Sequence, residues 1–204
     1  NSSTEFSGVA SGSGGISKEG TGRLTLSGAN TYTGSTAINA GALTISGTLS
    51  DQTAVNVGGA GTYEVGADDT VGSIAGSGAI SLGSSELTVG GDNSSTEFSG
   101  VASGSGGISK QGTGGLTLSG ANTYSGATKI SAGTLDVSGS LNDQTAVEVD
   151  ANATFELSNN SAIGSLAGTV GSIAGSGAIS LRSSALTVGG DNSSTEFSGV
   201  ASGS

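Results

Sequence analysis

The chain has 204 residues, 40 of them Gly, with no Pro, Cys, Met, Trp or His, and five basic against sixteen acidic side chains for a net charge of −11. That balance excludes nucleic acid, whose phosphates require Lys and Arg, and docking on an anionic membrane surface. Without Cys or His there is no disulfide, no thiolate nucleophile, no imidazole base and no ordinary zinc site.

No apolar run approaches the length that crosses a bilayer, and no signal peptide is visible. A chain that does not begin with Met is expected to be a window of something longer. Its Gly content does not mark disorder, because Val, Ile, Leu and Thr return at regular places and Gly punctuates short strands.

In chain order, Asn1 to Lys18 recur unchanged at 93–110, and Asn1 to Ser13 recur again at 192–204. Repeat one is therefore 1–92, repeat two 93–191 and the start of a third 192–204, within one domain of 1–204. Thr70 to Gly76 occurs once in repeat one. Repeat two carries both Ala162 to Gly168 and Thr169 to Gly175, so an insertion is expected near 169–175, leaving the rod as a surface excursion.

Apolar–x–apolar strands are expected to begin at Leu24, Leu43, Tyr63, Leu87 and Leu116, because strand side chains alternate in direction. Second strands are expected near Ala37-Ile38, Ala54 to Val57, Gly72 to Ala75 and Glu97 to Ser99. Shorter ones are expected near Ala79 to Leu82 and Gly107 to Ser109. These intervals are too long for tight hairpins and suit one circuit of a coil. The expected fold is all-β, a right-handed parallel β-helix (β-solenoid) with about four rungs per repeat of 92–99 residues, each rung stacked on its neighbours. The inward column is expected to hold Leu24, Leu26, Leu43, Ile45, Val55, Val57, Tyr63, Val65, Ile80, Leu82, Leu87, Val89, Phe98 and Ile108, and to be repeated in the second unit. Asn-Gly and Asp-Gly hairpin signals are absent, which weighs against an antiparallel sandwich.

Gly22-Arg23-Leu24-Thr25-Leu26-Ser27-Gly28-Ala29-Asn30-Thr31-Tyr32-Thr33-Gly34 returns as Gly114-Gly115-Leu116-Thr117-Leu118-Ser119-Gly120-Ala121-Asn122-Thr123-Tyr124-Ser125-Gly126. Each copy leads into a second apolar triplet, Leu43-Thr44-Ile45 in the first. These residues resemble the autotransporter passenger-associated repeat, over Gly14 to Ile45 and Gly106 to Val137. The resemblance implies a structural stalk or passenger segment of a secreted, surface-displayed bacterial adhesin. It implies export through a C-terminal barrel outside this window, so localisation is extracellular, on the cell surface. The partners it implies are neighbouring repeats of the same chain, identical chains on other cells, or host and matrix glycans and proteins. A self-assembling extracellular filament is the alternative, and a polysaccharide-active enzyme on the same scaffold is a further one.

No catalytic residue, cofactor site or metal site is expected. Lys18 and Lys110 stand where the repeat pattern itself has Lys, so they read as structural. Asp68-Asp69 is the one adjacent acidic pair. It reads as a solvated turn, because neighbouring strand residues face opposite ways and the pair is lost in repeat two. The calcium-binding nonapeptide pattern is absent. Pectate lyases use such a fold with clustered Asp and a catalytic Arg, but here Arg23 becomes Gly115. The remaining candidate is a polar ladder of outward residues at the strand centres: Thr25, Thr44, Glu64, Thr88, Thr117, Asp136, Glu156 and Thr187. It reads as a solvated β face or as a surface that contacts another rod.

Overall fold

The computed structural model describes residues 2–158 and 168–203. Among them there is no helix, and every strand pairing is parallel, as a coil of about nine turns requires. Each turn lays short strands on three faces. The first face stacks Thr4–Phe6, Arg23–Leu26, the later parts of Thr36–Ile45 and Ala54–Val65, then Ala79–Ser81 and Val101–Ser103. The second runs from Ile16–Lys18 through the early parts of the same two long strands to Ser73–Gly76 and Thr96–Phe98. It continues through Gly115–Leu118, Gly133–Val137, Ala153–Leu157, Ala178–Ser180 and Val200–Ser202. The third stacks Asp69–Val71, Leu87–Val89, Ile108–Lys110, Thr128–Ile130, Ala146–Val149 and Ser172–Gly175.

The chain visits the faces in the order first, third, second. Tyr63, Asp69–Val71, Ser73–Gly76 and Ala79–Ser81 are one such circuit. Following it from Leu24 on the first face, Leu43, Tyr63, Ile80 and Ala102 complete four turns. Leu116, the repeat-two equivalent of Leu24, then lies two faces further on. Ile16 and Ile108 show the same offset, standing on the second and third faces. A repeat is thus four turns and two further faces. Contacts are conserved while the face changes: Leu24 stacks on Leu43 and Leu116 stacks on Leu135.

This corrects the expected rung order. Tyr63 is followed by Ile80, not Leu87, and Leu87 lies on the third face between Asp69 and Ile108. The misreading came from weak strands. Thr4–Phe6 and Val101–Ser103 are three residues each. In the latter the inward residue is Ala102 and the larger Val101 points out, reversing the apolar signal. Leu118 accordingly sits between Phe98 and Val137.

The expected excursion at Thr169 to Gly175 also differs. Gly168–Val170 pairs with Leu186–Val188 as Asp69–Val71 pairs with Leu87–Val89, and Ser172–Gly175 pairs with Ala146–Val149. The second seven-residue copy is built into the rungs. The first copy, from Ala162, falls outside the described residues apart from Gly168.

The fourteen named inward positions hold, with Leu24 half-buried and the other thirteen residues buried, but late in repeat two Val188, the counterpart of Val89, is 48% exposed, because its strand is paired on one side only. Each buried aliphatic side chain contributes about 1.5–3 kcal/mol. The turns approach closely at Gly28 and Gly120. A Cβ on Gly28 would lie 2.0 Å from the Gly8 carbonyl oxygen, and one on Gly120 would lie 1.7 Å from that of Gly100. No larger residue fits there without spreading the coil.

Candidate functional site

The eight ladder residues do not form one row. Thr25, Thr44 and Glu64 are successive partners on the first face. Thr117, Asp136 and Glu156 are successive partners on the second. Thr88 stands on the third face between Thr70 and Ser109, and Thr187 stands beside Thr169. The ladders that exist are Glu5–Thr25–Thr44–Glu64–Ser81–Ser103 and, one repeat on, Glu97–Thr117–Asp136–Glu156–Ser180–Ser202. The same surface feature therefore looks out from two different sides of the rod.

Neighbouring turns supply hydrogen bonds to these carboxylates, and to two of them a cation. Ser27 donates to Glu5 at 2.6 Å and Ser119 to Glu97 at 2.5 Å. Glu64 accepts from Thr44 Oγ1 at 2.6 Å and from Arg23 at 2.7 Å. In repeat two Arg23 is replaced by Gly115, yet Arg182, where repeat one has Gly83, reaches the equivalent Glu156. Asp136 replaces Thr44. It accepts from Ser158 at 2.7 Å through Oδ2, while its Oδ1 is buried without a partner. Burial raises the Asp136 carboxyl above the ordinary range, and Glu156 beside it adds to this, against the lowering effect of Ser158 and Arg182. Lys129 lies 3.7 Å from Glu148 and 3.9 Å from Asp150.

The other two basic residues point inward and act as clips. Lys110 Nζ donates to the carbonyls of Gln111 and Gly112 at 2.6 and 3.0 Å, and to Ala132 on the next turn at 3.4 Å. Lys18 makes the equivalent bonds to Glu19, Gly20 and Ala40. Burial lowers the Lys110 ammonium from its usual value. The amines of both lysines are committed to carbonyls of their own and the next turn. Their recurrence in the repeat pattern was the signal that identified them as structural.

A second clip was not legible beforehand. Asn122 Oδ1 accepts Ala102 N at 3.0 Å, while its Nδ2 donates to Gly120 O at 3.0 Å and to Ser140 O at 3.2 Å, tying three turns together. Asn30 does the same with Ala10, Gly28 and Thr48. Two residues on, buried Tyr124 bonds Thr128 Oγ1 at 2.6 Å, as Tyr32 bonds Thr36. The recurring Asn-Thr-Tyr was the available signal.

Asp68-Asp69 is only half a solvated turn. Asp68 is exposed and accepts Glu86 N at 2.8 Å. Asp69 is 6% exposed, accepts Leu49 N at 3.1 Å and Tyr63 OH at 3.3 Å, and is raised by burial to about 6. Among the described residues no group of three or more ligating side chains could hold a metal.

The fold and its clips define a repeat solenoid whose recurring residues serve turn-to-turn packing. Compared with known families, the chain matches the model of the passenger-associated-transport repeat at two places, residues 16–45 and 108–137. A curated relative is the Adhesin BmaC autotransporter of Brucella suis biovar 1 (strain 1330), 37% identical over 129 residues. That match covers 58% of this chain and 4% of the relative, so the chain spans a small part of its length. No solved structure matches the chain.

Proposed function

We propose that this chain is a stalk segment within the secreted, surface-displayed passenger of a bacterial autotransporter adhesin, with a structural and not a catalytic role. The observation that carries the reading is that both passenger repeats lie on one stacked solenoid, the second being the first advanced by four turns and two faces. Such a coil folds turn on turn, which suits emergence from a membrane pore one segment at a time. Anchorage in the outer membrane belongs to a domain outside these residues. The outward ladders are the contact surfaces for cell–cell or matrix association, and the partners are identical chains or host and matrix glycans and proteins.

The test is to fuse the chain ahead of an outer-membrane barrel in a Gram-negative host. Surface exposure to added protease, together with clumping or matrix binding above the barrel alone, is the expected result. Retention inside the envelope overturns the passenger role. Turnover of any polysaccharide in a panel overturns the non-catalytic one.

A further inference from the structure

The ladder of repeat one is complementary to itself when reversed. From Glu5 to Ser103 it runs acid, hydroxyl, hydroxyl, acid, hydroxyl, hydroxyl. A second copy of the rod, turned end over end with this strip facing the first, sets Glu5 opposite Ser103, Thr25 opposite Ser81 and Thr44 opposite Glu64. Every carboxylate then meets a hydroxyl. The ladder already makes that match within the chain, where Thr44 donates to Glu64 at 2.6 Å. In a parallel pair each carboxylate would instead meet its own copy.

The outward column beside the ladder fits the same pairing. Arg23, Ala42, Thr62 and Ala79 follow one another along it. The reversed copy sets Ala42 opposite Thr62 and Ala79 opposite Arg23. Ala42, Thr62 and Ala79 are small enough to let two faces approach, and Arg23 reaches along the rod to Glu64 at 2.7 Å. The two-fold axis of such a pair passes between Thr44 and Glu64. Both Glu64 carboxylates and both Arg23 guanidinium groups gather about it, and their charges cancel.

The ladder of repeat two lacks this match. It looks out from the second face, and Asp136 stands where repeat one has Thr44. Reversed on itself, it sets Asp136 opposite Glu156, so four carboxylates surround the axis with only the two Arg182 side chains to offset them. Reversed on the first ladder, it sets Asp136 opposite Glu64. Like charges brought together at a contact exclude that partner.

We propose that the strip from Glu5 to Ser103 docks a second copy of this chain in antiparallel orientation, and that Asp136 keeps the ladder of repeat two out of the contact. The inference rests on the reading of the ladders as contact surfaces, and it selects the identical chain as the partner of the first one. The contact is isologous and closed, so it joins two rods and does not propagate. Its rungs lie about 4.8 Å apart and span far less area than a stable dimer buries. Each contact is therefore weak, and many displayed chains acting together supply the adhesion.

The chain has no cysteine, so single introduced ones report position. Thr25→Cys and Ser81→Cys chains are mixed at high protein concentration with a short bis-maleimide. The mixed pair is expected to cross-link several-fold faster than either chain alone. The same positions on the second ladder, Thr117→Cys with Ser180→Cys, should give only the background rate. Adding Thr44→Asp to the first pair should abolish its advantage, and adding Asp136→Thr to the second should create one. Self-linking of Thr25→Cys as fast as the mixture, equal trapping on both ladders, or no trapping above background overturns the proposal. Clumping of displayed chains without trapping of the purified ones would place the contact elsewhere, overturning this pairing while leaving the passenger role intact.

Discussion

In repeat one the ladder carboxylate Glu64 is met from two turns below by Arg23, and in repeat two Glu156 is met from the turn above by Arg182. The arginine has changed place, from the position of Gly115 to that of Gly83, while its partner has stayed. Stacked turns make this exchange available. A side chain on a ladder is equally close to its neighbours above and below, so charge can be balanced from either direction. The clips show no such freedom. Lys18 and Lys110, like Asn30 and Asn122, keep the same partners in both repeats, because each satisfies backbone groups whose places are set by the coil. Substitution tolerance should follow that division.

The inward column should show the largest effect. Leu118 is fully buried between Phe98 and Val137, so Leu118→Asp leaves an unpaired charge in an apolar stack. It should cost about 4 kcal/mol or more. Damage should stay near that turn, visible as a new cleavage site in limited proteolysis with mass analysis. Thr117→Asp, pointing out between Glu97 and Asp136, should cost about 1 kcal/mol or less. If Thr117→Asp opened the site and Leu118→Asp did not, the register would be inverted.

The asparagine clip comes next. Asn122→Ala strands the Ala102 amide and weakens the holds on Gly120 and Ser140, for about 2–3 kcal/mol in chemical denaturation. Asn30→Ala breaks the matching bonds where Ala10 is only half-buried, so its cost should be smaller. Equal costs would mean that burial does not set the strength of the clip.

Smaller still are the arginines. Their side chains are 49% and 61% exposed, so Arg23→Ala and Arg182→Ala should each cost below about 1 kcal/mol, and less at high salt. A much larger loss in either repeat would show that the ladder, and not the core, carries that repeat.

Deleting Thr169 to Gly175 should have a comparably small effect, even though those residues lie in the rungs. Ala162 to Gly168 would then join directly to Ser176 and offer a near-copy of the deleted strands, with Ile163 and Leu166 at the places of Val170 and Ile173. A melting temperature within a few degrees of the full chain is expected, on the order of 1 kcal/mol. A large drop would mean that the two copies are not interchangeable.

Much of the architecture was legible because a solenoid writes its packing into short-range order. Of the fourteen core residues that strand alternation named, thirteen are buried, and the Gly-punctuated triplets at Leu24, Leu43, Leu116 and Leu135 stack as their spacing implies. The passenger-repeat residues were recognisable for the same reason: Lys, Gly and Asn recur where the backbone of adjacent turns needs a donor or has no room for a side chain.

The face on which each strand lies was not legible between Tyr63 and Leu116. There the spacing is irregular, and weak strands such as Val101–Ser103 carry Ala inward and Val outward. A local pattern gives the in-or-out sense of a side chain, since alternation depends on the residue's own backbone. Which turn lies beneath it depends on how much chain the intervening corners absorb, and only closure of the coil sets that. Hence one expected ladder became several, and the fractional repeat that turns them to different sides came from stacking. The same holds for Asp69. Its residue type suggests solvent, but the corner formed by Leu49, Tyr63 and Asp51 from other parts of the coil buries it, and burial is a property of the assembled turns.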